Sequence, residues 1–301
     1  MKKYIFVPLM AIAIISTGCK SKPQQATTAD STVVAEDDTL MVDSIVYHAQ
    51  QDSTISSDIR VDYPTGDDSL SVAVCHFIAQ QLAKHFLPVI NDMEHKGQHP
   101  LYKGEITKGQ AVVDFYGKAT LDYLIDEQKE LKEEMESNEQ EGFTPQIPYM
   151  TNELNIRKSG ETPLYVTYRI EGYTYLGGAH GSSIDYSVNI DKRTNKPLHM
   201  TVDTLKVKEL QPLIRKGIVS YIREQGQDSE VNDKNLSSYL LIEGNTIPLP
   251  AFTPYLAKDG VHFAYQQYEI GPYAMGIIEF TIPYSDIKPY LCPEAQKLIA
   301  Q

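Results

Sequence analysis

Three glycines within five residues interrupt an otherwise regular pattern of alternating side chains at Gly177-Gly178-Ala179-His180-Gly181. Glycine adopts backbone angles that are closed to residues with a β-carbon, so this segment predicts a tight turn. Apolar side chains alternate with polar ones on both sides of it, at Val166, Tyr168, Ile170, Ile184, Tyr186, Val188 and Ile190. A period of two is typical of half-buried strands. The sequence therefore predicts an antiparallel pair of strands whose connecting loop carries His180.

Helical periods appear elsewhere in the chain. Apolar residues recur every three or four positions over residues 69–87, 107–138 and 209–224, which predicts three amphipathic helices. Asp67, Asp68 and Ser69 offer an N-cap to the first helix, and Gly226 offers a C-cap to the third. Pro212 is compatible with the third helix if it lies in the first turn.

The last third of the chain has strand patterns again. Residues 252–270, with a turn at Lys258-Asp259-Gly260, predict a hairpin, and residues 277–282 predict a final strand. Helices and strands are mixed without βαβ alternation, which indicates an α+β fold. We expect antiparallel sheets packed with two to four helices in two associated subdomains, residues 61–175 and residues 176–301.

The amino terminus has the features of an export signal. Met1-Lys2-Lys3 is basic, residues 4–15 are apolar, and Ser16-Thr17-Gly18 places small residues before Cys19. The apolar run is shorter than a membrane-spanning helix requires. Residues 1–19 are therefore predicted to be a lipoprotein signal peptide with Cys19 as the lipidated residue. Simple secretion or a retained anchor are the alternatives, and Ser16 stands where a lipobox usually has leucine.

Residues 20–60 are rich in Ser, Thr, Asp, Gln and Ala and have only short apolar runs. Such a composition cannot bury enough apolar surface to offset chain entropy, so we expect a flexible tether. Within it, residues 42–47 are an alternative edge strand. The predicted location is the cell envelope, lipid-anchored outside the cytoplasm, and Lys20 after the cysteine favours the outer membrane over inner-membrane retention.

Composition excludes some partners. The net charge is −13 with a pI near 5.1 and no basic cluster, which argues against nucleic acid and against electrostatic attachment to anionic lipid. An acidic protein suits a basic partner better. Cys75 and Cys292 are the remaining cysteines; they are either a disulfide of an exported protein or buried thiols, and Cys75 lies in a helical apolar stripe.

Two motifs together resemble a known family. They are Tyr173 to Gly181, which reads YTYLGGAHG, and Tyr268 to Gly276, which reads YEIGPYAMG and is followed by Ile282-Pro283-Tyr284-Ser285. The segment from about Arg60 to Leu291 resembles the extracytoplasmic region shared by RsiV-type anti-sigma factors and PdaC-type peptidoglycan deacetylases. RsiV-type members bind lysozyme outside the cell. We expect neither the sigma-binding segment nor the deacetylase domain here, because three residues precede the apolar run and the chain ends at Gln301.

An enzymatic role would depend on His180. A general base needs a hydrogen-bonded partner, and Asp185 and Tyr175 are the nearest candidates in sequence. However, Ser182 and Ser183 are not in a nucleophile setting such as G-x-S-x-G. We therefore expect His180 to fasten the loop and its glycines, Gly177, Gly178 and Gly181, to be structural. His95 and His99 have helical spacing, but Gly97 and Pro100 argue against the helix, and we predict no metal site and no cofactor.

Binding is the favoured interpretation. The chain has 20 tyrosines and no tryptophan, and tyrosine combines apolar area with a hydroxyl at low entropic cost. Tyr268, Pro272, Tyr273 and His180 are the predicted binding residues. The sequence thus predicts a non-enzymatic envelope lipoprotein that binds a lysozyme-like cationic protein or a peptidoglycan fragment. The alternative is a hydrolase of envelope glycan or peptide that uses His180.

Overall fold

The computed structural model describes residues 39–87, 101–137 and 148–299. Six strands form the larger sheet in the order of their sequence. These strands are β1 (Val42–Gln51), β2 (Ile55–Pro64), β3 (Met150–Glu161), β4 (Tyr165–Tyr175), β5 (Ser182–Asp191) and β6 (Lys196–Pro197). Neighbours are antiparallel except β2 and β3, which run parallel. Parallel neighbours need a long crossover, and residues 65–149 supply it.

Two helices of that crossover cover one face of the sheet. They are α1 (Ser69–Lys84) and α2 (Gly109–Ser137). Asp68 caps α1, because its carboxylate accepts hydrogen bonds from the backbone N–H groups of Leu70 and Ser71. Apolar side chains from the helices and from alternate strand positions form the first core, and these include Val74, Ile78, Val112, Tyr116, Val61, Ile156, Ile170 and Tyr186. Both helices agree with the prediction from periodicity.

The first strand begins inside the segment that was predicted to be a tether. Residues 42–51 form β1 and residues 55–60 are the first six residues of β2, so the flexible tether predicted for residues 20–60 is wrong from residue 42 onward. Tyr47 and Ile45 pack with the first core, and all ten residues of β1 pair with β2. The edge strand given as the alternative is confirmed and is longer than expected. The signal peptide, Cys19 and residues 20–38 lie outside the described residues.

A smaller antiparallel sheet follows in the chain, with α3 (Val207–Glu224) packed on it. Its strands are β7 (Tyr255–Leu256), β8 (Gly260–Tyr265) and β9 (Ile278–Pro283), and two short helices, α4 (Tyr284–Ile287) and α5 (Pro293–Ile299), end the described chain. Gly226 follows the C-cap of α3 with φ +67°, as expected for a helix end. Pro212 is the sixth residue of α3 rather than part of its first turn, because the helix begins at Val207, earlier than predicted.

The second core lies between α3, the smaller sheet and the chain's last helices, and its residues come almost wholly from positions after 200. The predicted division between residues 175 and 176 falls within the larger sheet, since β4 and β5 pair over ten residues across it. Asn189, which is 2 % exposed, joins the two sheets: its amide donates to Leu256 O at 3.0 Å and its Oδ1 accepts from Leu256 N at 2.7 Å.

Cys75 and Cys292 are free, buried thiols that belong to different cores. The pKa of each thiol is raised by burial, to about 11 for Cys75. No helix in the described ranges is long and apolar enough to cross a membrane.

Candidate functional site

The glycine loop, residues 176–181, joins β4 to β5 and depends on two of its three glycines. Gly177 has φ +82°, a conformation that side-chain-bearing residues seldom adopt, and a Cβ there would lie 2.6 Å from Pro148 Cγ. Gly181 is buried, and a Cβ on it would lie 2.4 Å from the ring of Tyr173. Gly178 has open space around it. Its carbonyl accepts a hydrogen bond from the Tyr175 hydroxyl at 2.9 Å, so its backbone contributes rather than its lack of a side chain.

The second motif forms a tight turn that we call the tyrosine turn, residues 266–276. Tyr268 has φ +65° and its side chain is 57 % exposed. Next to it, the half-buried carboxylate of Glu269 accepts from Gln266 N at 2.7 Å and from Ala251 N. Burial raises the pKa of Glu269. This carboxylate therefore fixes the turn while the preceding tyrosine is held outward.

Two glutamines of the tyrosine turn bind the free edge of β5. Gln266 behaves like a strand partner: its Oε1 accepts from Asp185 N at 3.0 Å and its Nε2 donates to Asp185 O at 2.9 Å. Gln267 Oε1 accepts from Ser183 N at 2.9 Å. Because β6 pairs only with the end of β5, these amides satisfy backbone groups that the sheet leaves open. They also bring Tyr268 to the glycine loop.

His180 lies at the point where the two segments meet. Its ring stacks on Tyr273 with centroids 3.9 Å apart, and Tyr268 is 6.0 Å away on a second side. His180 Nδ1 is 3.0 Å from Gly181 O, and Nε2 is 3.1 Å from the Tyr268 hydroxyl. A carbonyl only accepts, so Nδ1 carries the proton and, in the neutral ring, Nε2 accepts from Tyr268. The Tyr273 hydroxyl donates to the same Gly181 carbonyl at 3.0 Å.

A cavity of about 360 Å³ lies beside the ring of His180. His180, Gly178 and Leu176 form one wall, and the open end of the sheet, with Leu154 and Ile184, forms the floor. The row of side chains that faces the helices is interrupted at Gly172, where a Cβ would come within 2.9 Å of Ile184. The missing side chain helps to make the space. A mainly apolar cavity with a few polar groups is the usual form of a ligand site.

A second histidine, His85, lines the cavity at the end of α1. Its Nε2 lies 2.7 Å from the Tyr186 hydroxyl, which in turn donates to Gln81 Oε1 at 2.7 Å. Burial, followed by the charge of Lys84, lowers the pKa of His85 to about 4. The ring is therefore neutral near pH 7 and donates from Nε2. His85 was not singled out by the sequence, because its role follows from a contact 101 residues away.

The partners that catalysis by His180 would need are engaged elsewhere. Asp185 forms a two-pronged ion pair with Arg169, whose Nε lies 2.8 Å from Asp185 Oδ1, and this pairing raises the pKa of Arg169. Tyr175 binds the Gly178 carbonyl, as described above. Ser182 is exposed and lines the cavity. Neither ring nitrogen of His180 contacts a carboxylate, a thiol or a serine in the described part of the chain.

Among the described residues, no group of three His, Cys, Asp or Glu side chains lies close enough to hold an ion. His95 and His99 lie outside the described residues.

The structure thus brings together the four predicted binding residues. His180, Tyr268 and Tyr273 are in mutual contact, and exposed Pro272 directly precedes Tyr273. Sequence reasoning missed Gln266, Gln267 and Glu269. The second motif includes Tyr268 and Tyr273, which lie close to these three residues in the sequence. No sequence pattern, however, indicates that two glutamine amides hydrogen-bond to a strand edge 81 or more residues earlier.

Together, the fold and the site describe an α+β protein in which a turn from the smaller-sheet half closes over a loop of the larger sheet. Residues 203–285 match the model of a family described as "Protein of unknown function (DUF3298)". The matched segment contains the tyrosine turn and begins after the glycine loop. No curated protein matches the chain.

Solved structures are similar over nearly the whole described chain. A crystal structure of a DUF3298 family member from Bacteroides fragilis superposes with a TM-score of 0.63 at 21% identity, covering 87% of this chain and 98% of the other. A DUF3298 family protein from Pseudomonas aeruginosa gives a TM-score of 0.53 at 14% identity, covering 86% and 97%. At these identities the similarity shows the fold alone. The resemblance to RsiV-type and PdaC-type proteins stays a prediction.

Proposed function

We propose that this protein is a non-enzymatic, lipid-anchored protein of the cell envelope that binds an extracytoplasmic ligand with its aromatic cluster. The cluster consists of His180, Tyr268, Pro272 and Tyr273. The adjoining cavity accepts an apolar group of the ligand, and the cluster contacts the rest.

The conformation of Tyr268 is the observation that carries the proposal. A tyrosine with positive φ costs free energy, on the order of 1–3 kcal/mol, and persists only where surrounding contacts impose it. Glu269, Gln266 and Gln267 supply those contacts. The fold thus maintains a large aromatic side chain in an unfavourable backbone conformation and in water, where packing gains little. Retained strain of this kind is typical of functional sites.

Two ligand classes fit the cluster. Tyrosine and histidine rings form the anchors of many protein interfaces, and the chain's charge of −13 favours a cationic partner such as a lysozyme-like protein. A peptidoglycan fragment is the second class, since tyrosine hydroxyls and ring faces also bind sugars. The family resemblance supports the first class, and the predicted export signal supports both.

The experiment combines binding and turnover. Purified protein is tested by pull-down on immobilised lysozyme and by calorimetric titration with muropeptides, as wild type, His180→Ala and Leu205→Ala. Leu205 is 90 % exposed and serves as the control for loss of a surface apolar side chain. We expect one class to bind the wild type and the control equally, and the His180 variant at least several-fold more weakly.

Absence of binding to both classes contradicts the proposal. So does hydrolysis of peptidoglycan that disappears in His180→Ala without a change in thermal unfolding, because this result would make His180 catalytic.

A further inference from the structure

A second concave surface lies on the other face of the larger sheet, and we call it the lysine groove. Its volume is about 880 Å³, within the range of small-molecule sites. The sheet contributes Thr167, Arg169 and Ser187, and the smaller-sheet half contributes Tyr255, Lys258, Tyr284 and Lys288. Side chains alternate across a strand, so Thr167 and Ser187 point away from Tyr168 and Tyr186, which face the helices. The groove is therefore separate from the aromatic cluster and its cavity.

The charges that line the lysine groove do not cancel. Glu161 is matched by Lys192, at 2.5 Å, and by Lys158, and Arg169 is matched by Asp185. Lys258 and Lys288 are exposed, and within the described residues neither ammonium forms an ion pair or hydrogen bond. Asp259 lies close enough to the lining residue Tyr284 to help raise the pKa of that phenol, but neither Asp259 nor Asp286 lines the groove or forms an ion pair with either lysine. Two uncompensated cations in a groove of a chain with charge −13 point to an anionic ligand.

The remaining lining is suited to a ligand with hydroxyl groups and apolar faces. Tyr255 and Tyr284 are half-buried, and burial raises the pKa of both phenols, so they are neutral and able to hydrogen-bond. The Tyr284 hydroxyl donates to Ala257 O at 2.7 Å and is also in hydrogen-bond contact with the hydroxyl of Tyr165, a further lining residue. The apolar side chain of Leu298 completes the surface. Thr167 and Ser187 lie at its buried floor, where Thr167 Oγ1 accepts from Asn189 Nδ2 at 2.9 Å and Ser187 is hydrogen-bonded to Tyr255.

From these observations we propose that the lysine groove binds a carboxylate-bearing ligand of about disaccharide size, with Lys258 and Lys288 pairing with its carboxylate. Lysine binds carboxylate as a point charge through up to three donors, without a fixed geometry. The site is independent of the proposed function, since none of its residues belongs to the aromatic cluster.

The test is a calorimetric titration of the full chain with N-acetylmuramyl-L-alanyl-D-isoglutamine, which combines a sugar ring with a carboxylate. Di-N-acetylchitobiose is the uncharged comparison. Variants are Lys258→Gln, Lys288→Gln and the double variant, with Lys103→Gln as a control that removes an exposed charge outside the groove. Tyr268→Ala separates this site from the aromatic cluster.

We expect the muramyl peptide to bind the wild type and the Lys103 variant alike, and the groove substitutions should weaken its binding by the same factor whether they are made in the wild type or in Tyr268→Ala. Each groove variant should bind about three- to tenfold more weakly, and the double variant weaker still, with affinity falling at high salt. The uncharged saccharide should not bind measurably. The proposal is overturned if the wild type does not bind the muramyl peptide, if the double variant binds it like the wild type, or if the two saccharides bind equally.

Discussion

The two segments that meet at the candidate site are built differently. The conformation of the glycine loop depends mainly on its own backbone. Gly177 and Gly181 leave no room for a side chain, and the Tyr175 hydroxyl donates one short-range hydrogen bond to the loop. The tyrosine turn is held by side chains, through the Glu269 carboxylate and two glutamine amides. The loop carries the histidine, but the turn provides the contacts that position it.

This difference changes the interpretation of His180. If the glycine loop is considered without the tyrosine turn, an exposed histidine between glycines suggests a catalytic role. With the turn in place, both ring nitrogens are occupied and the ring lies against Tyr273. His180 is thus held by contacts from residues more than 80 positions later in the chain, which is why we favour the binding interpretation over the catalytic one.

The largest expected effect is on the turn, in Glu269→Gln. Each carboxylate oxygen accepts a different backbone N–H, and an amide can replace only one of them while its NH₂ opposes the other donor. The variant should lose about 1–3 kcal/mol of unfolding free energy, measured by urea denaturation. A change within experimental error would show that the carboxylate does not hold the turn.

The same variant has a pH signature. Burial raises the folded-state pKa of Glu269, so one part of its contribution to stability is linked to its proton: this part is complete below the unfolded pKa and is lost as pH rises through the folded value, while the two hydrogen bonds accepted by the carboxylate remain. Glutamine does not titrate. The stability difference between wild type and Glu269→Gln should therefore shrink as pH rises through that window, and a difference that grows with pH would contradict the assignment.

A smaller effect is expected on the loop, where a matched pair of substitutions is available. Gly177→Ala forces a side chain into a left-handed conformation and toward Pro148, and should cost about 1–2 kcal/mol. Gly178→Ala meets open space and should stay within about 0.5 kcal/mol of wild type. Equal effects in thermal unfolding would mean that the loop does not depend on backbone conformation as described.

The backbone strain at Tyr268 is measurable by comparing two truncations. Tyr268→Gly and Tyr268→Ala remove the same ring, but only glycine relieves the positive φ. The glycine variant should be about 1 kcal/mol more stable than the alanine variant. Equal stabilities in urea denaturation would indicate a relaxed backbone at this position and would weaken the functional argument.

The smallest effect is expected for Tyr273→Phe. It removes the hydroxyl that donates to Gly181 O but keeps the ring against His180, and the carbonyl retains its bond from His180 Nδ1. We expect a loss of about 0.5–1 kcal/mol, with ligand binding preserved. Strongly reduced binding in this variant would mean that the hydroxyl, rather than the ring, contacts the ligand.

Periodicity predicted much of the fold. The alternation on both sides of the glycine loop correctly gave β4 and β5, and the apolar stripes gave α1, α2 and α3. These features are local, because one face of each element is buried and the other is solvated. Strand β3 was missed, and β1 was assigned mainly to a tether. Residues 42–60 are polar in composition. The two strands to which they belong are stabilised by pairing, β1 with β2 and β2 with β3, rather than by a large apolar content of their own.

The site was predictable only in its exposed members. Glycines and tyrosines in two motifs gave His180, Tyr268, Pro272 and Tyr273, and the fold places them together. Hydrogen bonds between residues 81 to 101 positions apart define the roles of Gln266, Gln267 and His85. No local sequence pattern marks these three residues. Such contacts depend on the register of β5 and the end of α1, which a single sequence does not encode locally.

The most direct test of the aromatic cluster is a titration of Tyr268→Gly. Glycine adopts the positive φ of residue 268 without strain, so the unfolding free energy of this variant should be close to that of wild type. The variant nevertheless lacks the aromatic ring of Tyr268. The titration is made in the Lys258→Gln/Lys288→Gln background, so that binding in the lysine groove does not contribute. The lysozyme or muropeptide that binds this background should bind at least about tenfold more weakly once Tyr268 is also replaced by glycine. Unchanged affinity in a protein of unchanged stability would contradict the account, because the ligand would then bind elsewhere.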